Sequence, residues 1–214
     1  MPIIHGVNAS PFVRKTRVFL IEKGIDYELE PVMPGAVSDA FRKISPLGKI
    51  PVYEDGDLTL PDSSAICAYL ERLHPDPPLL PSNARALGMA LWYEEYADTR
   101  LVDVTTPVFF QRFVQVKIYK QSCNEEVVQN AINELAPPAF DYLESQLSDS
   151  GWIVGDAFSL ADIAIASPFV NLQHAGEGID AKRWPRLSAY IARILARPSY
   201  AVLVEEERAA FASF

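Results

Sequence analysis

A hydroxyl at the start of one helix, an acid–serine pair at the start of another, and a proline-opened strand between them are where this 214-residue chain could do chemistry. Ser45-Pro46-Leu47-Gly48-Lys49-Ile50-Pro51-Val52 leads into a short strand, Val52 to Glu54. Asp55-Gly56 signals a two-residue hairpin turn, and Asp57 to Leu60 reads as the returning strand. Asp62-Ser63 then precedes an apolar-periodic run (Ala65, Ile66, Tyr69, Leu70, Leu73), the pattern of a helix N-terminus. A proline opening a strand is tolerated only at an edge or in a special turn. With Ile50-Pro51 cis, Ile50 turns its N–H and C=O away from the hairpin and leaves a main-chain edge that an extended peptide can join. The Asp62-Ser63 start adds backbone N–H groups, a hydroxyl and a dipole that favours a carboxylate. Together these describe a small site for an anionic peptide.

The elements that must position these groups follow from local patterns. Ile3 and Ile4 read as a strand. Ser10-Pro11 opens a helix, with Ser at the N-cap and Pro at the first helical position. That helix runs through Val13, Arg17, Phe19, Leu20 and Ile21 to Gly24, a C-terminal stop. Tyr27, Leu29 and Val32 alternate as a second strand, and Phe41 to Ile44 forms a short helix. A βαβ unit followed by a ββα unit is a thioredoxin-like α/β domain, with a mixed sheet between helices. Four prolines between Pro75 and Pro81 make a stiff linker. Beyond it the pattern is helical: 84–117 with a kink expected at Thr106-Pro107, then 125–147 with a bend at Pro137-Pro138. Ser159-Leu160-Ala161-Asp162 resembles a capping box opening a nearly all-apolar, buried helix. Trp184 to Ala196 and Ser199 to Glu207 complete an all-α helical bundle. The expected division is 1–76, a linker 77–86, and 87–214.

Composition narrows the function. Net charge is −9, which disfavours nucleic acid or an anionic membrane as partner. No apolar run approaches a membrane span, and Met-Pro-Ile-Ile-His lacks the basic start of a signal peptide. Cys67 and Cys123 have neither metal nor redox spacing, so no metal is expected and a reducing cytoplasm is the expected setting. Residues 1–50 hold seven Lys/Arg against five Asp/Glu, a balance of +2, and the remainder carries −11. Arg14, Lys15, Arg17, Arg42, Lys43 and Lys49 therefore mark the first segment as the place for an anionic ligand; a solvated helix face accounts for them equally well.

The chain resembles the glutathione transferases over nearly its full length. The resemblance rests on Ser10-Pro11-Phe12 with Arg14, on Ser45 to Val52, on Asp62-Ser63-Ser64-Ala65-Ile66 with Tyr69-Leu70, and on Ser159-Leu160-Ala161-Asp162, in that order and spacing. It implies a cytoplasmic, detoxifying homodimer that binds glutathione as co-substrate in the first domain and a small hydrophobic electrophile against the second. By resemblance, Lys49 approaches the glycyl end of glutathione, Ile50, ahead of Pro51, pairs with the cysteinyl backbone, and Asp62 and Ser63 hold the γ-glutamyl amine and carboxylate. The family more often carries Glu before this Ser.

Glutathione attacks as thiolate, and a free thiol has a pKa of about 8.5. Lowering it by about two pKa units takes roughly 2.7 kcal/mol of preferential thiolate stabilisation. A hydroxyl hydrogen bond to a charged group supplies about 1.5–3 kcal/mol, and a helix N-terminus about 0.3–1 kcal/mol. Ser10 offers both, donating to the thiolate and not acting as nucleophile; Asn8 is the next candidate, with Ser10 then merely a cap. Phe12, Tyr96, Arg100, Thr106 and Phe110 are candidates to line the electrophile site, and Phe211 and Phe214 to close over it. Two alternatives remain: glutathione-dependent disulfide or peroxide reduction, and a non-catalytic transferase-like binding module. Dithiol exchange lacks its cysteine, since the slot reads Ser10-Pro11-Phe12-Val13.

Overall fold

The computed structural model describes residues 1–35, 37–212 and 214. Its first part is a four-stranded sheet of order β2-β1-β3-β4, formed by β1 (Ile3–His5), β2 (Glu28–Glu30), β3 (Val52–Asp55) and β4 (Leu58–Pro61). β1 and β2 are parallel, and β3 is antiparallel to both β1 and β4. Helices α1 (Pro11–Glu22), α2 (Asp39–Ile44) and α3 (Ser63–Leu73) complete the thioredoxin-like domain. Gly6 lets β1 hand over to α1 at close range, because a Cβ there would come 2.4 Å from Val13 Cγ2. Two local expectations shift. Asp55 pairs with Leu58, so the hairpin loop is Gly56-Asp57 instead of Asp55-Gly56, with Gly56 at φ +63°. β2 spans only three residues, and Tyr27 and Val32 fall outside it.

The second part is helical: α4 (Ala84–Tyr96), α5 (Val102–Phe109), α6 (Glu125–Asn130), α7 (Ala136–Gln146), α8 (Leu160–His174), α9 (Pro185–Leu195) and α10 (Pro198–Phe211). The helical path continues from Ala84 to Ile118 straight through Pro107, with wide π turns at Ala97–Leu101 and Phe110–Ile118. A proline removes one main-chain donor, and a wider turn re-pairs the surrounding groups without ending the helix. The same device precedes Pro137-Pro138: Ala131–Leu135 is π-helical and runs directly into α7, whose first turn holds both prolines.

Every residue of α8 from Leu160 to Leu172 is buried, against α1, α4 and α5. Its start is held by Asp162, whose carboxylate accepts from the Ser159 N–H (2.8 Å) and hydroxyl (3.2 Å), the Ile153 N–H (3.1 Å) and the Tyr190 hydroxyl (2.7 Å). Burial pushes this carboxyl up, and the four donors pull against that. Such a saturated acceptor is a structural cap.

Candidate functional site

Strand register collects the chemically capable residues at one end of the sheet. His5, the last residue of β1, lies opposite Val52, the first of β3, and Val52 lies opposite Pro61 at the end of β4. Ser10, Ile50-Pro51 and Asp62-Ser63 therefore all follow or precede the same sheet edge, and the Asp62 N–H donates to the Pro51 carbonyl at 3.3 Å.

Ser10 is the N-cap of α1, its Oγ accepting from the Val13 N–H at 3.4 Å. Capping uses a lone pair and leaves the O–H proton free to donate, so cap and donor are compatible roles. Asn8 is oriented by Arg17, whose Nη1 donates to Asn8 Oδ1 at 2.9 Å, leaving the Asn8 amide as a donor. The Ile50-Pro51 bond is cis. Among the described residues the Ile50 N–H and C=O take no part in the strand ladders or loop hydrogen bonds. The preceding loop is tied by Ser45: its Oγ accepts from the Lys49 N–H (3.0 Å) and donates to the Lys49 carbonyl (2.7 Å). Gly48, at φ +63°, makes the turn, and the Lys49 side chain is exposed.

Asp62 has φ +83°, a conformation that non-glycine residues rarely adopt and that clusters at functional sites. Its Oδ1 accepts from both the Ser64 and Ala65 N–H groups at 3.0 Å, capping α3. Oδ2 makes no hydrogen bond among the described residues and stays available to a cation. Ser63, the first residue of α3, is buried at 3% exposure.

The relatives decide what this edge belongs to. A family model of the glutathione S-transferase N-terminal domain matches residues 4–78, and one of the C-terminal domain matches residues 125–193. A glutathione S-transferase of Hyoscyamus muticus is 30% identical over 209 residues, covering 94% of this chain and 97% of that one. The chain belongs to the glutathione transferase family. Among solved structures, a glutathione S-transferase from Methylobacterium radiotolerans in complex with glutathione sulfonate is 31% identical with a TM-score of 0.76, covering 95% of this chain and 94% of that one. A stringent starvation protein A homolog of Pasteurella multocida (strain Pm70) is 28% identical, covering 88% of this chain and 83% of that one.

Within this transferase fold, three of the cations expected at an anion site are used otherwise. Arg14 is fully buried; its Nε and Nη2 donate to Glu207 at 2.7 Å each, and its Nη1 to the Ser167 carbonyl (2.7 Å) and Asn171 Oδ1 (2.9 Å). Lys15, equally buried, pairs with Glu94 at 2.9 Å and with Asp98, and reaches Ser64 Oγ at 3.3 Å. Burial pushes the Asp98 carboxyl up despite Lys15, while Lys15 is raised because its two carboxylates outweigh its own burial. Arg17 binds the Tyr27 hydroxyl and Glu206, each at 2.7 Å. Glu22 extends the series, taking Arg197 (2.9 and 2.7 Å) and the Ser199 hydroxyl. One helix thus bolts the sheet domain to α4, α8 and α10, and only Arg42, Lys43 and Lys49 remain exposed.

The electrophile-side expectations also divide. The Tyr96 hydroxyl donates to the Ala139 carbonyl (3.3 Å), with its ring 4.9 Å from that of Tyr142, and Arg100 Nη2 donates to the Leu135 carbonyl (2.9 Å). Both are half-buried and engaged with α7 and the turn before it. Phe110 is exposed, its ring 6.3 Å from that of Tyr119, and Thr106 is exposed. Phe12 is half-buried in the first turn of α1. Sequence reasoning missed Phe109 and Phe113, which stack at 5.1 Å and receive Phe211 from α10 at 6.2 and 4.3 Å. Phe211 also meets His174 edge-on at 4.8 Å, and Phe214 packs against Phe113 at 6.5 Å. His174 in turn bonds Glu207 at 2.7 Å, so this aromatic cluster adjoins the Arg14 network. Two cavities, about 560 Å³ beside Arg17 and Tyr27 and about 350 Å³ beside Phe140 and Trp184, include neither Ser10, Ile50 nor Asp62 in their walls.

Proposed function

We propose that the protein conjugates glutathione to a small hydrophobic electrophile, with Ser10 donating a hydrogen bond to the glutathione thiolate. The observation that carries this reading is the gathering of Ser10, the unpaired Ile50 main chain and the half-occupied Asp62 carboxylate at one sheet edge. An extended tripeptide thiol fits that order of groups. Its cysteinyl backbone pairs with Ile50 by strand addition, its γ-glutamyl ammonium meets Asp62 Oδ2, its γ-glutamyl carboxylate meets the Ser63 helix start, and its glycyl carboxylate lies toward exposed Lys49. Residues 1–76 supply this half, 77–86 link, and 87–214 supply the electrophile wall, to which Phe12, Tyr96, Arg100 and Phe110 are assigned together with the Phe109–Phe113–Phe211 cluster. A cytoplasmic, detoxifying homodimer belongs to the same reading; the exposed Met89 and Trp92, three residues apart on α4, offer apolar surface to a second copy.

The binding-module alternative is favoured by relatives that are not named transferases. A panel of carbon electrophiles, peroxides and mixed disulfides assayed with glutathione separates the readings, and conjugation of a carbon electrophile is expected. The Ser10 assignment is tested by the thiolate absorbance of bound glutathione against pH. Ser10→Ala is expected to raise the bound thiol's pKa and lower kcat with little change in glutathione KM, whereas Asn8→Ala leaves the titration in place. An unchanged titration in Ser10→Ala refutes the assignment.

A further inference from the structure

The residue that orients Ser10 comes from the other domain. Asn171, on α8 and 3% exposed, donates from Nδ2 to the Ala9 carbonyl at 2.9 Å. That carbonyl belongs to the same planar peptide unit as the Ser10 nitrogen, and the Ser10 N–H is itself held by the Val7 carbonyl at 3.1 Å. The peptide entering α1 is thus clamped on both sides. The Asn171 amide cannot turn over, because its Oδ1 accepts from Arg14 Nη1 at 2.9 Å and only Nδ2 can face Ala9. Arg14 is in turn locked by the two-pronged Glu207 contact and the Ser167 carbonyl. His174 closes the far side of Glu207.

We propose that Asn171 is a positioning residue: it fixes the Ala9–Ser10 peptide, and through it the direction of the Ser10 hydroxyl, without touching substrate. This rests on the reading of Ser10 as thiolate partner. The geometry gives a buried amide at this domain boundary a role beside the ion pairs of α1. Among the described residues the Ser10 hydroxyl is bonded only through a 3.4 Å contact to Val13, a weak hold by its own helix, so its aim depends on the peptide plane beneath it. A hydroxyl whose aim wanders stabilises a thiolate less, since charge-assisted hydrogen bonds weaken steeply with misalignment.

The test is a mutant cycle read by the thiolate titration of bound glutathione, on the full chain. Asn171→Ala is expected to raise the bound thiol's pKa by about one unit and, through the smaller thiolate fraction, to lower kcat near pH 6.5 about fivefold. Glutathione KM should change by less than about twofold, because binding groups are untouched. In a Ser10→Ala background the added Asn171→Ala change should have almost no further effect on the titration. Asn171→Ser, which keeps a hydroxyl facing Arg14, serves in the same cycle where the alanine variant does not fold. If Ser10→Ala shifts the titration and neither Asn171 variant does, the positioning role is wrong while the Ser10 reading survives. If the Asn171 effect persists undiminished without the Ser10 hydroxyl, Asn171 acts by another route and the inference is overturned. If Ser10→Ala itself shifts nothing, the underlying reading fails first.

Discussion

Replacing Glu207 with Gln tests whether the two domains are bound by buried charge. Arg14 and Glu207 are both fully shielded from solvent, and their side chains make two parallel hydrogen bonds of 2.7 Å. Glu207→Gln preserves shape, yet it leaves the guanidinium without a counter-charge and turns an amide donor toward Arg14 or His174. Breaking a buried pair from one side costs about 3–5 kcal/mol, because an uncompensated charge stays inside. For a chain of this length each kcal/mol corresponds to roughly 2–4 °C, so a fall in Tm of roughly 6–20 °C is expected. Removing both charges, in Arg14→Met with Glu207→Leu, should recover most of the loss, since a packed apolar pair avoids the desolvation cost. Chemical unfolding at pH 7 measures all three proteins. The pH dependence carries a sign as well. Burial raises the Glu207 carboxyl, but Arg14 and His174 outweigh it and hold the folded-state pKa below the ordinary carboxylate value. The unfolded value is about 4.3, so the stabilisation is fully present above that pH and is lost only as pH falls through the lower folded value. The gap between native and Glu207→Gln protein should therefore stay constant from neutrality down to about pH 5 and narrow below pH 4. A single variant within about 1 kcal/mol of the native protein at pH 7 refutes the reasoning.

Three further outcomes follow from the same contacts. Asp62→Asn keeps a side-chain oxygen for the α3 cap and tolerates positive φ but loses the charge, so glutathione KM should rise about tenfold with little change in thermal stability. Burial of Cys67 pushes its thiol up and hides it, while Cys123 is partly exposed; a thiol reagent should therefore label one cysteine per folded chain and two after denaturation. Asp162→Asn turns an NH₂ toward donors now satisfied by carboxylate, and unfolding should show a loss of about 1–3 kcal/mol.

The parts of the molecule readable in the sequence are those written in local chemistry. Ser10-Pro11, Asp62-Ser63 and Ser159–Asp162 mark helix starts because capping involves residues no more than about four apart. Ile50-Pro51 is legible because proline is exceptional at a strand entrance. The charges of α1 are not legible in that way. Arg14, Lys15 and Arg17 look like a solvated or ligand-binding face, since their partners Glu207, Glu94 and Glu206 lie 79 to 193 positions away. The α7 contacts of Tyr96 and Arg100 are likewise hidden in the sequence, since Ala139 and Leu135 lie 43 and 35 positions away. Phe109 and Phe113 carried a usable signal, a four-residue aromatic spacing that places both rings on one helix face. The wide turns around Pro107 and before Pro137 depend on how neighbouring helices re-pair freed carbonyls, which no local pattern encodes.

The most direct test of the central claim is a crystal structure of the protein with glutathione at saturating concentration. The tripeptide is expected to lie extended along Ile50, its cysteinyl N–H and C=O bonded to that residue, its ammonium on Asp62 Oδ2 and its sulfur within hydrogen-bonding distance of Ser10 Oγ. Glutathione bound elsewhere, or with its sulfur turned away from Ser10 toward another donor, contradicts it.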